Sequence, residues 1–212
     1  DEFYSDTSPT SAREHLKSLW LRLSETFRDY PGVAGYDICN EPHRSTGSLS
    51  NQQVADLWLD IADYVIAGLR ARGDNHIIFT NFAPWARYTA FMSRKLNDSN
   101  VVYAPHFYYG INEGDLTVSN NDYDWLKQQF DTDVNAKMLQ FNVPFVMEEQ
   151  GFGSHQINKG DASDIWLKNA LTIHKTSPLM QGWLWWCYIA YGGKPEGGGW
   201  QTTLTEYLSP KS

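Results

Sequence analysis

Residues 13–42 read REHLKSLWLRLSETFRDYPGVAGYDICNEP, and the reading of this stretch decides the fold. Leu16, Leu19, Trp20, Leu23 and Phe27 recur at helical spacing, which predicts a helix over 13–29 with that stripe facing the core. Pro31-Gly32 stops it. An apolar strand, Val33 to Ile38, follows and ends in Asn40-Glu41-Pro42, where proline cannot continue a ladder and the chain must turn outward.

Working outward, the helix-then-strand unit returns four more times. A helix over 52–71 (Val54, Leu57, Trp58, Ile61, Val65, Leu69) leads into a strand over 77–82. A helix over 86–96 precedes a strand over 101–108. A polar loop then runs through Asn120, followed by a helix over 122–141 and a strand over 144–149. A helix over 162–175 leads to a strand over 182–188, and 200–208 forms a last short helix after a glycine-rich turn. Alternation of this kind implies parallel strands joined by crossover helices, and His76-Ile77-Ile78-Phe79 is apolar enough to be buried on both faces. The class is α/β. No G-x-G-x-x-G follows any strand, and polar residues gather at the carboxyl ends of several strands, which favours a (β/α) barrel over a doubly wound sheet. Only about five strands are found, whereas a closed barrel has eight, so the expected architecture is a partial (β/α)8 TIM barrel.

The 212 residues are 42% hydrophobic, with no compositional break or low-complexity stretch, which implies one domain over 1–212. A net charge of -8 without a basic stripe argues against nucleic acid as a partner. No run of eighteen apolar residues is present, so no membrane span is expected, and the polar start Asp1-Glu2-Phe3 is not a leader. Cys39 and Cys187 lie in apolar runs and read as small core residues rather than as a disulfide framework. Nine Trp and twelve Tyr are many for this length, and several fall at strand ends or in loops, where flat apolar faces suit sugar rings. No metal-binding spacing of the His-Glu-x-x-His or paired Cys-x-x-Cys type occurs, so neither a cofactor nor a catalytic metal is expected.

Two runs carry the chemistry. Tyr36-Asp37-Ile38-Cys39-Asn40-Glu41-Pro42-His43 and Pro144-Phe145-Val146-Met147-Glu148-Glu149-Gln150-Gly151 each place a carboxylate where an apolar strand stops. Retaining hydrolysis of a glycosidic bond requires two such groups about 5–5.5 Å apart. With His106-Phe107-Tyr108 and Gly182 to Trp186, these runs resemble the second half of glycoside hydrolase family 5, in the clan of retaining (β/α) barrel hydrolases. The resemblance implies that Glu41 is the acid and base, that Asn40 binds the 2-hydroxyl of the sugar being cleaved, and that Tyr108 donates a hydrogen bond to the nucleophile with His106 beside it. The family spacing laid on Pro144 selects Glu149 as nucleophile, with Glu148 as the alternative. Neighbouring side chains on a strand face opposite ways, so only one of the two is expected at the mouth. The resemblance also makes Trp186 the platform under the sugar, with Trp185 as the alternative and one of them packing outward. It does not cover the family's first three strands, which supply an Arg near the nucleophile and a His close to the acid.

Trp85, after the strand end Asn81-Phe82-Ala83-Pro84, suits either a flanking sugar subsite or a helix cap. His43, His155 and Trp200 lie in loops that could touch further sugar units. The expectation is a secreted enzyme cleaving β-1,4-linked glycans of the cellulose or β-glucan type. The alternatives are a β-mannanase, a carbohydrate-binding protein on a degenerate barrel that has lost turnover, or a non-hydrolytic enzyme using both acids for proton transfer. With two sheet edges otherwise bare, the chain is a fragment, a natural half-barrel, or one member of an assembly whose second chain or homo-oligomer completes the sheet.

Overall fold

The computed structural model describes residues 2–43, 47–112, 117–152 and 160–186. His155, Trp200, Cys187, the last short helix and the end of the last strand lie outside them.

In chain order the elements are helices α1 (Glu2–Ser5) and α2 (Ala12–Phe27), strand β1 (Gly35–Asp37), helix α3 (Asn51–Ala71) and strands β2 (Ile77–Thr80), β3 (Val101–Tyr103) and β4 (His106–Phe107). There follow α4 (Tyr123–Phe130), a π turn Asp131–Asn135, α5 (Ala136–Phe141), β5 (Phe145–Met147), β6 (Glu149–Gln150), α6 (Ala162–His174) and β7 (Met180–Trp183). The main sheet runs β1-β2-β3-β5-β7 with every pairing parallel. Each new strand adds to the same side with no reversal of order, as in a barrel wall and unlike a doubly wound sheet.

The strands predicted over 101–108 and 144–149 are each cut in two, and the cause is local. Pro105 has no N–H to give the ladder, while its carbonyl accepts from Glu148 N–H at 3.1 Å. Beyond the break, β4 and β6 pair with each other in a separate parallel ladder, with His106 opposite Glu149 and Phe107 opposite Gln150.

The helix predicted over 86–96 is not formed, and only a 3₁₀ turn at Thr89–Phe91 is present. Trp85 and Ala86 hold left-handed backbone (φ 64 and 53), which a right-handed helix cannot use. The Ala86 carbonyl is also taken by His106 N–H at 2.8 Å, which leaves it unable to start a helical ladder.

The core lies between the sheet and α3, α4 and α6. Ser50 and Gln53 close a capping box at the start of α3. Val54, Trp58, Ile61, Val65 and Leu69 are then buried at helical spacing as expected. Trp58, Phe107, Phe130, Phe145 and Trp166 are its largest fully buried side chains. The stripe of α2 behaves differently: Leu16 and Trp20 pack partly against the core, but Leu19 is 54% exposed and Phe27 37%. That helix meets the rest of the chain by another face, where Lys17 and Leu21 approach Gly68 of α3.

Candidate active site

β1 aims the first carboxylate. Tyr36 and Ile38 are buried toward the helices, so the period of two sends Asp37, and beyond it Glu41, to the opposite face. Glu41 itself has φ +45, a conformation uncommon for a residue with a side chain. It is held there by hydrogen bonds. Its N–H donates to Asn81 Oδ1 at 2.9 Å, and its carbonyl lies 2.7 Å from His43 Nδ1. Tyr4 Oη donates to the His43 carbonyl at 3.0 Å, and Trp85 N–H donates to the Pro42 carbonyl at 3.2 Å. The His43 ring stacks on Trp85 with centroids 3.5 Å apart and planes 13° from parallel. Trp85 is 46% exposed, and Asn40 is exposed beside Glu41.

The second carboxylate is set by the β4–β6 ladder. Tyr108 Oη donates to Glu149 Oε2 at 2.8 Å. His106 is 1% exposed, and its Nδ1 lies 2.8 Å from Glu41 Oε1 and 3.6 Å from Glu149 Oε2. One donor atom each from Glu41, His106 and Glu149 fall within 4.8 Å of one another. Carboxylate oxygens this close are within reach of a single glycosidic bond. The arrangement can therefore attack one face of an acetal carbon and protonate its leaving oxygen.

Gly151 lets the next strand approach. A Cβ there would meet the Trp186 carbonyl at 2.1 Å, and Trp186 N–H donates to the Gln150 carbonyl at 2.9 Å. Trp185 packs edge-on against Phe152, with centroids 5.1 Å apart, and Phe152 in turn packs edge-on against Trp166 of α6. Trp185 is thus the member of the pair that joins the helical layer.

Three residues near the site were not singled out from the sequence in these roles. Asn81, 2% exposed, spans from the Glu41 N–H to Glu148, its Nδ2 donating to Glu148 Oε2 at 2.7 Å. Glu148 itself is not turned away. The break between β5 and β6 falls on this residue, so strict alternation does not apply, and its carboxyl interacts electrostatically with His106, Asp37 and Glu149. Burial first, and then the neighbouring Asp37, push Glu148 up to about 7, against the Asn81 hydrogen bond and His106, which lower it. Asp37 is also raised, chiefly by burial, with the Cys39 N–H and His106 opposing. Burial and Asp37 raise the Cys39 thiol as well. Period-two alternation from Glu41 would have found Asp37, and the position of Asn81 at the carboxyl end of a parallel strand would have found that residue.

Comparison with known proteins agrees with this geometry. The model of the cellulase family, glycosyl hydrolase family 5, matches residues 2–192. An endoglucanase of Clostridium saccharobutylicum is 30% identical over 113 residues, 53% of this chain and 24% of that protein. Endoglucanase A of Evansella cellulosilytica is 33% identical over 107 residues, 50% of this chain and 21% of that one. The chain thus spans about a quarter of the length of these curated relatives. The solved endoglucanase Cel5A of Pseudomonas stutzeri superposes with a TM-score of 0.71 at 20% identity, covering 97% of this chain and 64% of that one. XacCel5A, solved in complex with cellopentaose, gives 0.68 at 18% identity, covering 90% and 60%. At these identities the solved structures establish the shared barrel wall alone, and the family match over most of the sequence settles the rest: the chain belongs to glycosyl hydrolase family 5.

Proposed function

We propose that the chain hydrolyses β-1,4-linked glycans of the cellulose or β-glucan type with retention, using Glu149 as nucleophile and Glu41 as acid and then base. The observation that carries this reading is the convergence of the two carboxylates within 4.8 Å, with the Tyr108 hydroxyl already on one oxygen of Glu149. That hydrogen bond fixes one oxygen of Glu149 and leaves Oε1 to attack the anomeric carbon. Glu41 gives its proton to the leaving oxygen, and the bond electrons depart with that oxygen. In the second step Glu41 takes a proton from water, whose oxygen displaces Glu149 from the glycosyl ester. His106, 2.8 Å from Glu41 Oε1, orients the acid.

Asn40 is assigned to the 2-hydroxyl of the cleaved sugar and Trp186 to the platform beneath it. The exposed Trp85 face, backed by His43, serves a neighbouring sugar unit. The names of the relatives, endoglucanases, and the cellopentaose bound to XacCel5A favour glucan over mannan. A polymeric substrate places the enzyme outside the cell. Among the described residues, β1 pairs only with β2 and β7 only with β5, and the inward Ile77, Phe79 and Val102 stay partly exposed. Further residues of a longer chain, a second chain or a second copy are proposed to cover them, and a monomeric mass in sedimentation would reject the last two.

Aryl β-cellobioside and β-mannobioside, tested on the wild type and on Glu149→Gln and Glu41→Gln, decide the reading. Hydrolysis by the wild type that is lost in Glu149→Gln supports it. Binding without hydrolysis by the wild type would make the chain a sugar-binding protein, and a wild-type rate of Glu41→Gln on an ordinary, unactivated glycan would reject the assignment of the acid.

A further inference from the structure

Glu148 and Asn81 lie outside the reacting pair, yet both are built into its support. Asn81 directly follows β2, its backbone carbonyl accepts the Trp58 indole N–H at 2.8 Å from the core of α3, and its amide is shut off from solvent. Glu41 N–H has to donate, which assigns the amide oxygen of Asn81 to it. The amide nitrogen is thereby aimed at Glu148, where it meets the carboxyl at 2.7 Å. Glu148 is fixed in turn by its own N–H on the Pro105 carbonyl, at the break where β5 gives way to β6. One buried amide therefore joins the loop of one catalytic carboxylate to the residue that precedes the other.

We propose that Asn81 and Glu148 are a positioning pair that holds Glu41 in its left-handed backbone and sets its distance from Glu149. The inference rests on the reading of Glu41 as the acid. Released from the amide, a residue at φ +45 relaxes toward ordinary backbone and carries its carboxyl away from the leaving oxygen, while Glu149, held by Tyr108 and the β4–β6 ladder, stays in place. The loss therefore falls on proton donation. The groups acting on Glu148 are Asp37 on β1, His106 on β4 and Glu149 on β6, so a further carboxylate at position 81 would face repulsion from several acids with His106 opposing.

The test is a double-mutant cycle on the whole chain. Asn81→Ala and Asn81→Asp are expected to lower kcat/KM on an unactivated cello-oligosaccharide by about a hundredfold. On a dinitrophenyl glycoside, whose leaving group needs no proton, the loss is expected to be only a few-fold. Asn81→Asp should lose most at high pH, where the new carboxylate and Glu148 are both charged. Adding Glu148→Gln reverses the polarity of the hydrogen bond, with the Gln amide donating to Asp, and should restore activity on the oligosaccharide to within a few-fold of wild type. Equal losses on both substrates, or a double variant no better than Asn81→Asp, would overturn the proposal.

Hydrogen exchange of the Glu41 amide provides a readout that needs no turnover. Protection lost in Asn81→Ala and regained in the double variant supports the pair, and protection unchanged in Asn81→Ala refutes it. If the wild type cleaves neither substrate, the hydrolase reading fails while the exchange data still decide whether the amide holds the loop.

Discussion

The two carboxylates are held by different means. Glu149 stands on a ladder, paired opposite His106 and bonded to Tyr108 two residues along the neighbouring strand, so regular strand geometry sets its place. Glu41 stands in a loop of strained backbone, held by side chains from a distance: Asn81, His43, and Tyr4 through the His43 carbonyl. A ladder tolerates the loss of one contact because its neighbours persist. A loop held by a few bonds does not, and geometry at the acid should be the easier of the two to disturb.

The largest effect should come from the ladder residue that reacts. Glu149→Gln is expected to lower kcat by more than about 10⁴-fold on every substrate, whatever the leaving group, as steady-state rates on aryl and natural glycans would show. Tyr108→Phe keeps the ladder and removes one hydrogen bond to the nucleophile. A loss of about 10- to 100-fold in kcat with KM little changed is expected, and an effect mainly on KM would count against its role in the transition state. Trp58→Phe addresses the loop side from beneath, because it deletes the donor to the Asn81 carbonyl and part of a fully buried ring. Denaturant unfolding should show about 2–3 kcal/mol less stability.

The pH dependence of stability sharpens the comparison further. His174, packed between Phe107 and Phe130 behind the ladder, has neither ring nitrogen bonded among the described residues, and burial pushes it down to about 3. The unfolded chain takes up that proton from about pH 6.5 downward while the fold excludes it. Stability should therefore fall toward pH 3 by up to about 1.4 kcal/mol per pH unit, and His174→Leu should flatten the decline in acid melting curves. Glu148 behaves oppositely. The fold keeps it protonated up to about 7, so its contribution is lost as pH rises from about 4.5 through 7. Glu148→Gln should flatten that limb, and an unchanged slope between pH 5 and 8 would argue against the shift.

What the sequence shows of this molecule divides along the same line. Helical and strand periods located α3, α6 and all five strands of the wall, because burial on a regular element leaves a regular pattern. Strand spacing likewise put His106 and Tyr108 on one face, while their closeness to Glu149 was legible only through the family resemblance. Contacts between loops and strand ends carry no period, and the hold of Asn81 on Glu41 spans 40 residues. The missing helix over 86–96 has the same origin, since its residues are apolar enough for a helix but their backbone is committed to His106 and to left-handed turns at 85 and 86. Glu148 was hidden by the alternation rule itself, which holds along an unbroken strand and lapses where Pro105 divides the ladder.

That division has a further bearing on how such a wall tolerates change. A one-residue slip between Pro144 and Met147 would turn its side chains from the packed layer to the lumen, and it would leave the pairing of His106 with Glu149 in place only if the break at Glu148 absorbed the displaced residue. The break at Glu148 is thus the joint at which a change in the scaffold below would either be taken up or be passed on to the chemistry above.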